Sequence, residues 1–452
     1  MSEEKLCVIG GDAAAMSAAG RARRRRPELS IEVFETGDYV SYGACGIPYY
    51  ISGSVKQLMD LVVVSKEEFE QKRDIKVNLG HRAEKISPDK NAITVRDLAS
   101  GEEKEVSYDH LLIATGAKPI VPPGIDLELP GVFALRGLME AGKLKEHIVV
   151  NSPKKALIIG GGYIGVEMAE ALKMAGMDVS MVEFAPRLMP VMEEEVSEAV
   201  SDSLSRHGVE YMTGAGAEKV EEKKKGLRVT LSNSDTIDTD MVLLAIGVTP
   251  RSELAQDAGL DLGVRKAIKV DRKQKTSHDN IWAAGDCAEA YHLVYGKNAY
   301  IPLALTANRQ GRVAGSNIGG EDAEFPGIAG TAVTRVFDLA VARTGLGVKE
   351  AGDLGLDAEK IEIKSNSQAH YCPDNQRIHT LVIVERGSGK LLGAQMFGKE
   401  GVAQRINLWA MALTQGMDLE EISQLDLAYA PPFSPVFDPV LQAAEVALKK
   451  TR

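Results

Sequence analysis

Two stretches of this chain repeat one pattern, and that repetition restricts the fold more than any other feature. Residues 6–35 read LCVIGGDAAAMSAAGRARRRRPELSIEVFE, and residues 156–183 read ALIIGGGYIGVEMAEALKMAGMDVSMVE. Each is an apolar run of strand length, a glycine turn, a helix of small residues, and a second apolar run closed by an acid. Such a unit buries its strands on both faces and returns through a helix, so the strands lie parallel in a doubly wound sheet. A shorter repeat accompanies it: LLIATGAKP (111–119) matches VLLAIGVTP (242–250), each a buried strand closed by a glycine and a proline. Two folds of related design, one inserted in the other, are therefore expected.

The rest of the chain fits around them. IWAAGDCAEA (281–290) reads as a further strand with a turn and an aspartate. From about residue 326 the texture changes. Alternation appears in HTLVIVERGSGKLLGAQMFG (379–398), where Gly387 and Gly389 mark a hairpin, and helical patterns follow near 401–415 and 438–450. The expected architecture is α/β: two Rossmann-like nucleotide-binding domains and a C-terminal α+β domain. The boundaries are placed at 1–118 with 248–325, at 119–247, and at 326–452.

Composition narrows the function classes. The net charge of −11 argues against nucleic acid or an anionic membrane as a general partner. No apolar run approaches the roughly 20 residues of a membrane span, and MSEEKLCVIGG lacks the pattern of a signal peptide. The four cysteines, Cys7, Cys45, Cys287 and Cys372, are scattered without metal-ligand spacing. A reducing cytoplasm is expected, and a structural zinc is not.

In the second repeat Gly160, Gly162 and Gly165 complete a GxGxxG fingerprint, whose helix N-terminus suits a pyrophosphate. Glu183, 18 residues beyond Gly165, stands where an acid accepts hydrogen bonds from a ribose 2′-hydroxyl. It repels a 2′-phosphate, so NADH is favoured; Arg187 nearby keeps NADPH possible. The first fingerprint keeps Gly10 and Glu35 but has Asp12 and Ala15 at the later glycine positions. A carboxylate beside a pyrophosphate is repulsive unless it points away.

Cys45 sits in VSYGACGIPYY (40–50), between Gly43 and Gly46 and just before Pro48. A thiolate is the reactive form of cysteine, and the turn into a helix at GIPYY is expected to lower the thiol pKa. With no cysteine close in sequence, its oxidised form must involve something external: a mixed disulfide, a persulfide or a sulfenic acid. Cys7 and Cys287 read as core residues.

With Gly10 and Glu35, SYGACGIPYY, the Thr115–Gly116 turn, GGGYIGVE, AAGDCAEA and LAYAPPFSPVFDPV in view, the chain resembles the flavin-dependent pyridine nucleotide–disulfide oxidoreductases. Within them it is similar to the single-cysteine branch of coenzyme A-disulfide reductases, NADH oxidases and peroxidases, and persulfide reductases. The resemblance implies FAD on the first fingerprint, at Gly10, Ala14, Glu35, Thr115, Gly116 and Asp286. It implies NADH on the second, at Gly160, Gly162, Tyr163, Ile164, Gly165, Glu167, Glu183 and Gly247, with Tyr163 as a movable gate. Cys45 would be the redox centre. The C-terminal segment would form a homodimer and lend Tyr371 and Tyr429 to the partner's site.

For the substrate, the resemblance implies a coenzyme A disulfide, persulfide or polysulfide held by Ser17, Arg21, Arg24, Ser41, Arg73 and Asn308. Ala13 occupies the position where the oxidase and peroxidase branch usually carries a histidine. Ala44 stands where an asparagine often precedes the cysteine, Phe437 where some members are basic, and Arg73 where some carry lysine. Cys372, beside Tyr371, is a candidate for resolving a mixed disulfide across the dimer. No rhodanese-like segment follows, so sulfur is expected from a separate donor. The alternatives are an NADH oxidase or peroxidase using a sulfenic acid, and an NADH-responsive redox-sensing flavoprotein.

Overall fold

The computed structural model describes residues 4–451. Its first sheet has the order Ile281–Ala283, His110–Ile113, Lys5–Ile9, Ser30–Phe34, Lys76–Asn78, all parallel. The second runs Glu210–Thr213, Asp178–Glu183, Lys155–Ile159, Met241–Leu244, Val132–Ala134, again all parallel. Both repeats therefore form the units that the sequence implies. The strand at 281–283 completes a sheet begun at residue 5, so the second fold is inserted in the first. The short repeats meet directly: Ala117–Pro119 pairs antiparallel with Val248–Pro250, forming a ribbon where the chain leaves and re-enters the first fold.

Small residues set the spacing of the first fold. The helix Ala13–Arg25 packs along Ala304–Ile318 so closely that a Cβ on Gly311 would lie 2.2 Å from the Ala14 carbonyl oxygen. One on Gly315 would lie 2.3 Å from that of Ala18. Three arginines in the last turn of Ala13–Arg25 suit the negative end of its dipole.

Two small antiparallel sheets were not anticipated. His81–Ser87, Ala92–Asp97 and Glu103–Ser107 form one, and Ala217–Glu222, Leu227–Leu231 and Thr236–Thr239 form the other. Their outer strands carry few buried residues; in Glu103–Ser107 only Val106 is buried, whereas the central Leu227–Leu231 buries Leu227, Val229 and Leu231. Apolar periodicity, the main signal for a strand, is correspondingly weak in the outer strands.

The C-terminal region is an antiparallel sheet in the order Ala332–Val336, Leu339–Gly345, Leu391–Gly398, Arg377–Glu385, Ala358–Asn366. Helices Val402–Gln415 and Pro439–Thr451 cover one face around a fully buried Trp409. Val341, Leu381 and Phe397 instead pack with Val196, Val200 and Leu204 of the second nucleotide fold. Leu391–Gly398 is buried along its whole length for this reason. A buried ion pair, Arg405 Nε to Asp438 Oδ2 at 2.8 Å, holds the loops beyond the sheet, because Arg405 also donates to the Ser367 and Phe433 carbonyls. Removing either partner strands a buried charge, at a cost of about 3–5 kcal/mol. Among the described residues no helix is long and apolar enough to cross a membrane.

Candidate active site

A cavity of 2350 Å³ runs between the two nucleotide folds and is lined by both glycine turns and by Cys45. The turns are built alike. Gly10 and Gly160 hold φ of +108° and +109°, and a Cβ on them would lie 2.2 Å from the Ala114 oxygen and 2.4 Å from the Ala245 oxygen. Each first glycine is thus required by the backbone of the neighbouring strand. A Cβ on Gly165 would lie 2.0 Å from the Gly160 oxygen, so this glycine seats the helix Tyr163–Met174 on its sheet. Gly162 differs: among the described residues, none beyond its chain neighbours and its own helix lies within 4 Å of a Cβ built there. Its bareness serves nothing in the protein and leaves the helix N-terminus open to a phosphate. That is the fit expected of a dinucleotide site.

Glu183 accepts from the backbone N–H of Gly161 at 2.6 Å and of Ala185 at 2.7 Å, which aims the carboxylate at the turn. Glu35 accepts from Gly37 at 2.7 Å, and burial raises its pKa. Arg187 donates to the Met192 carbonyl at 3.1 Å. Asp12 points its Oδ1 at the Tyr42 N–H, 3.2 Å away, so its carboxylate is directed towards the loop of Cys45. Thr115 Oγ1 donates to the Arg251 carbonyl at 2.5 Å. Gly116 and Gly247 take φ of +69° and +109° beside the ribbon.

Asp286 is paired with Arg136 at 2.7 Å, and Tyr300 donates to its carbonyl at 3.0 Å. Arg136, which the sequence reading missed, is brought to this aspartate from 150 residues away. Tyr163 and Ile164 line the cavity at the start of their helix. The buried Tyr163 hydroxyl has no partner among the described residues, and burial pushes its pKa up to about 12. Glu167, one turn on, accepts from Thr334 Oγ1 at 2.5 Å, and burial raises it.

Cys45 lies in a single 3₁₀ turn, Ala44–Gly46, that leads into the helix Ile47–Ser52. Gly46 permits this: a Cβ there would meet Leu61 Cδ2 at 2.4 Å. Pro48 pre-sets the first turn of the helix. Cys45 is exposed to the cavity, whereas Cys7 and Cys287 are buried and Cys372 is half-buried. The expected lowering of the Cys45 pKa is not found. The thiol is pushed up, first by the protein packed around it and then by the charges of Glu167, Asp286 and Asp12. The six-residue helix cannot offset three carboxylates and the loss of water.

The proposed substrate residues divide. Ser17 Oγ donates to Asn308 Oδ1 at 2.6 Å, and both line the cavity with Ser41, Arg24 and Arg73. Arg21 instead binds Ser316 at 2.8 Å and Glu321 at 3.1 Å, and is not among the lining residues described. Arg25 shares Glu321 at 2.6 Å. Arg312 joins the cavity, a residue whose single place in a helix carried no signal of its own. Among the described residues neither Arg24 nor Arg312 has a carboxylate partner. Burial lowers the Arg24 pKa, as do the charges of Arg21, Arg73, Arg312 and Arg25, so this corner favours an anion.

Tyr371 and Tyr429 lie outside the cavity wall, exposed on the C-terminal region, with Tyr429 close enough to raise the Tyr371 pKa. Their loops are tied by the Ala369 N–H to Pro431 at 3.0 Å and by Cys372 Sγ to the same carbonyl at 3.2 Å. Phe433, Val436 and Phe437 are exposed beside them.

Two dinucleotide folds facing one cavity, with a lone accessible thiol between them, define a two-site redox protein. The chain belongs to the pyridine nucleotide-disulphide oxidoreductases: that family's model matches residues 4–311, and the model of its dimerisation domain matches 331–440. FAD and a pyridine nucleotide are the cofactors of this flavoprotein family. The chain is 37% identical over 452 residues to the NAD(P)H sulfur oxidoreductase (CoA-dependent) of Pyrococcus furiosus, covering 99% of each. Reduced CoADR-RHD of Bacillus anthracis superposes with a TM-score of 0.96 at 37% identity, over 99% of this chain and 81% of that one. The NAD-dependent persulfide reductase from A. fulgidus gives 0.95 at 39%, over 99% and 83%.

Proposed function

We propose that this oxidoreductase uses NADH to reduce coenzyme A disulfide, or a related coenzyme A persulfide or polysulfide, through Cys45. One observation carries the reading: the only exposed cysteine among the described residues opens on a cavity in which Arg24 and Arg312 share a corner with Arg73 and, among the described residues, have no carboxylate partner. A thiol beside an anion-seeking corner suits a sulfur substrate bearing phosphates. The relatives named for coenzyme A and persulfide chemistry support it.

FAD, when bound on the first fold, supplies the two-electron link between the pyridine nucleotide and the sulfur. Gly160, Gly162, Gly165 and Glu183 hold NADH, and Tyr163 closes over its site until it arrives. The Cys45 thiolate attacks one sulfur of the disulfide, forming a mixed disulfide and releasing one coenzyme A thiolate. Two electrons from NADH then split that bond, returning the Cys45 thiolate and the second coenzyme A. Ser17 and Asn308 orient the substrate, and Arg24, Arg73 and Arg312 neutralise its phosphates. Tyr371 and Tyr429, from the partner of a homodimer, protonate the departing thiolate. The free thiols suit a reducing cytoplasm.

The test uses the FAD-loaded enzyme. NADH should bleach the flavin, and coenzyme A disulfide should restore its colour. Cys45→Ser should bleach but not recover with the disulfide; normal turnover by that variant would eliminate the mechanism. Peroxide or oxygen consumption outpacing disulfide reduction would shift the reading to an oxidase.

A further inference from the structure

Asp12 breaks the symmetry of the two glycine turns. Its counterpart in the second turn is Gly162, where an added Cβ would meet no described residue beyond its own chain neighbours and helix. Asp12 instead reaches across to the loop that carries the cysteine. Its Oδ1 accepts the Tyr42 N–H at 3.2 Å, and next to it the Ser41 N–H donates to the Gly11 carbonyl at 2.9 Å. Ser41 is held at φ +49°, an uncommon conformation for a residue other than glycine. Two adjacent hydrogen bonds thus stitch the first glycine turn to the loop three residues before Cys45.

We propose that Asp12 is a positioning residue that anchors the Cys45 loop to the nucleotide turn and sets a negative charge against that loop. The groups facing Asp12 are Glu35 from the end of the adjoining strand, Arg136 from the start of the inserted fold, and Tyr42 on the loop itself. Glu35 repels it and Arg136 attracts it. Burial pushes Asp12 up to about 6, so it is ionised throughout the range in which a thiol raised above its ordinary value titrates. Its charge then opposes formation of the thiolate, alongside those of Glu167 and Asp286. Asparagine at this position keeps the acceptor for Tyr42 and removes the charge; alanine removes both.

The biological consequence rests on Cys45 being the reactive sulfur of the function proposed above, but the test reads thiol titration alone. Alkylation of the FAD-loaded enzyme by iodoacetamide is followed from pH 6 to 10, with Cys45→Ser as the blank, and hydrogen exchange is read over residues 38–46. Asp12→Asn should alkylate faster below the thiol pKa, by about threefold, with loop exchange unchanged. Asp12→Ala should alkylate faster and also exchange faster at the loop. Wild-type alkylation by Asp12→Asn, or an unchanged loop in Asp12→Ala, would overturn the assignment. If Asp12→Ala does not accumulate as folded enzyme, the Asp12→Asn comparison decides alone. Faster alkylation of Asp12→Asn together with normal turnover by Cys45→Ser would sink the function and leave the coupling standing.

Discussion

Methyl groups added at Gly162 and Gly165 separate a ligand role from a packing role within one fingerprint. At Gly162 the new Cβ meets no described residue beyond its chain neighbours and its own helix within 4 Å, and φ −83°, ψ −168° suits alanine. Loss of a good N-cap residue costs up to about 1 kcal/mol. A less flexible unfolded chain returns about 0.4–1 kcal/mol. Gly162→Ala should therefore unfold in urea within about 1 kcal/mol of wild type. At Gly165 the Cβ would sit 2.0 Å from a backbone oxygen fixed in the sheet, so the helix must move. Overpacking of this kind costs about 1–3 kcal/mol, and the upper end applies when backbone must shift. Better helix propensity returns about 1 kcal/mol. The net loss should be about 2 kcal/mol. The ordering reverses for NADH: Gly162→Ala places its methyl where a pyrophosphate must approach, and affinity should fall at least about tenfold, or 1.4 kcal/mol. Its FAD content should not change. Fluorescence titration with NADH and urea unfolding of the same preparations read both numbers. NADH binding by Gly162→Ala at wild-type strength would refute the site, and wild-type stability of Gly165→Ala would refute the packing.

Other outcomes follow from the same geometry. His292 is buried against Tyr295 and held near pKa 4, below its ordinary 6.5, because burial disfavours the cation. Its neutral form contributes stability that is intact above pH 6.5 and lost as pH falls towards 4, about 3 kcal/mol in all. His292→Gln should flatten that part of a stability–pH curve measured by urea unfolding. Arg24→Ala and Arg312→Ala should each raise KM for coenzyme A disulfide about tenfold through a lost charge-assisted contact. Arg21→Ala, already committed to Glu321, should change it little; equal effects in steady-state assays would argue against the division. Tyr371→Phe with Tyr429→Phe should lower kcat at least about tenfold while the sedimentation behaviour stays that of wild type.

The nucleotide folds were legible because their constraints are local. Gly10, Gly160 and Gly165 are dictated by backbone atoms a few residues away or on the adjoining strand, and the small residues of Ala13–Arg25 by one helix lying along another. The hairpin at Gly387 and Gly389 was legible for the same reason. The small antiparallel sheets were not, since outer strands such as Glu103–Ser107 hold one buried residue and leave an alternating central strand such as Leu227–Leu231 without a visible partner in the sequence. Within RARRRR (21–26) the five charges look alike in sequence. Only Glu321 and Ser316, some 300 positions on, draw Arg21 aside and leave Arg24 in the cavity.

Taken by itself, the order of residues determined that this chain builds two dinucleotide folds with one isolated cysteine between their fingerprints, because turns, strand burial and close helix packing depend on steric contacts among near neighbours. Tertiary structure alone decided how that cysteine ionises and which cations face it. Glu167, Asp286 and Asp12 come from three separate segments, and electrostatic interaction depends on distance in space, which chain position does not record.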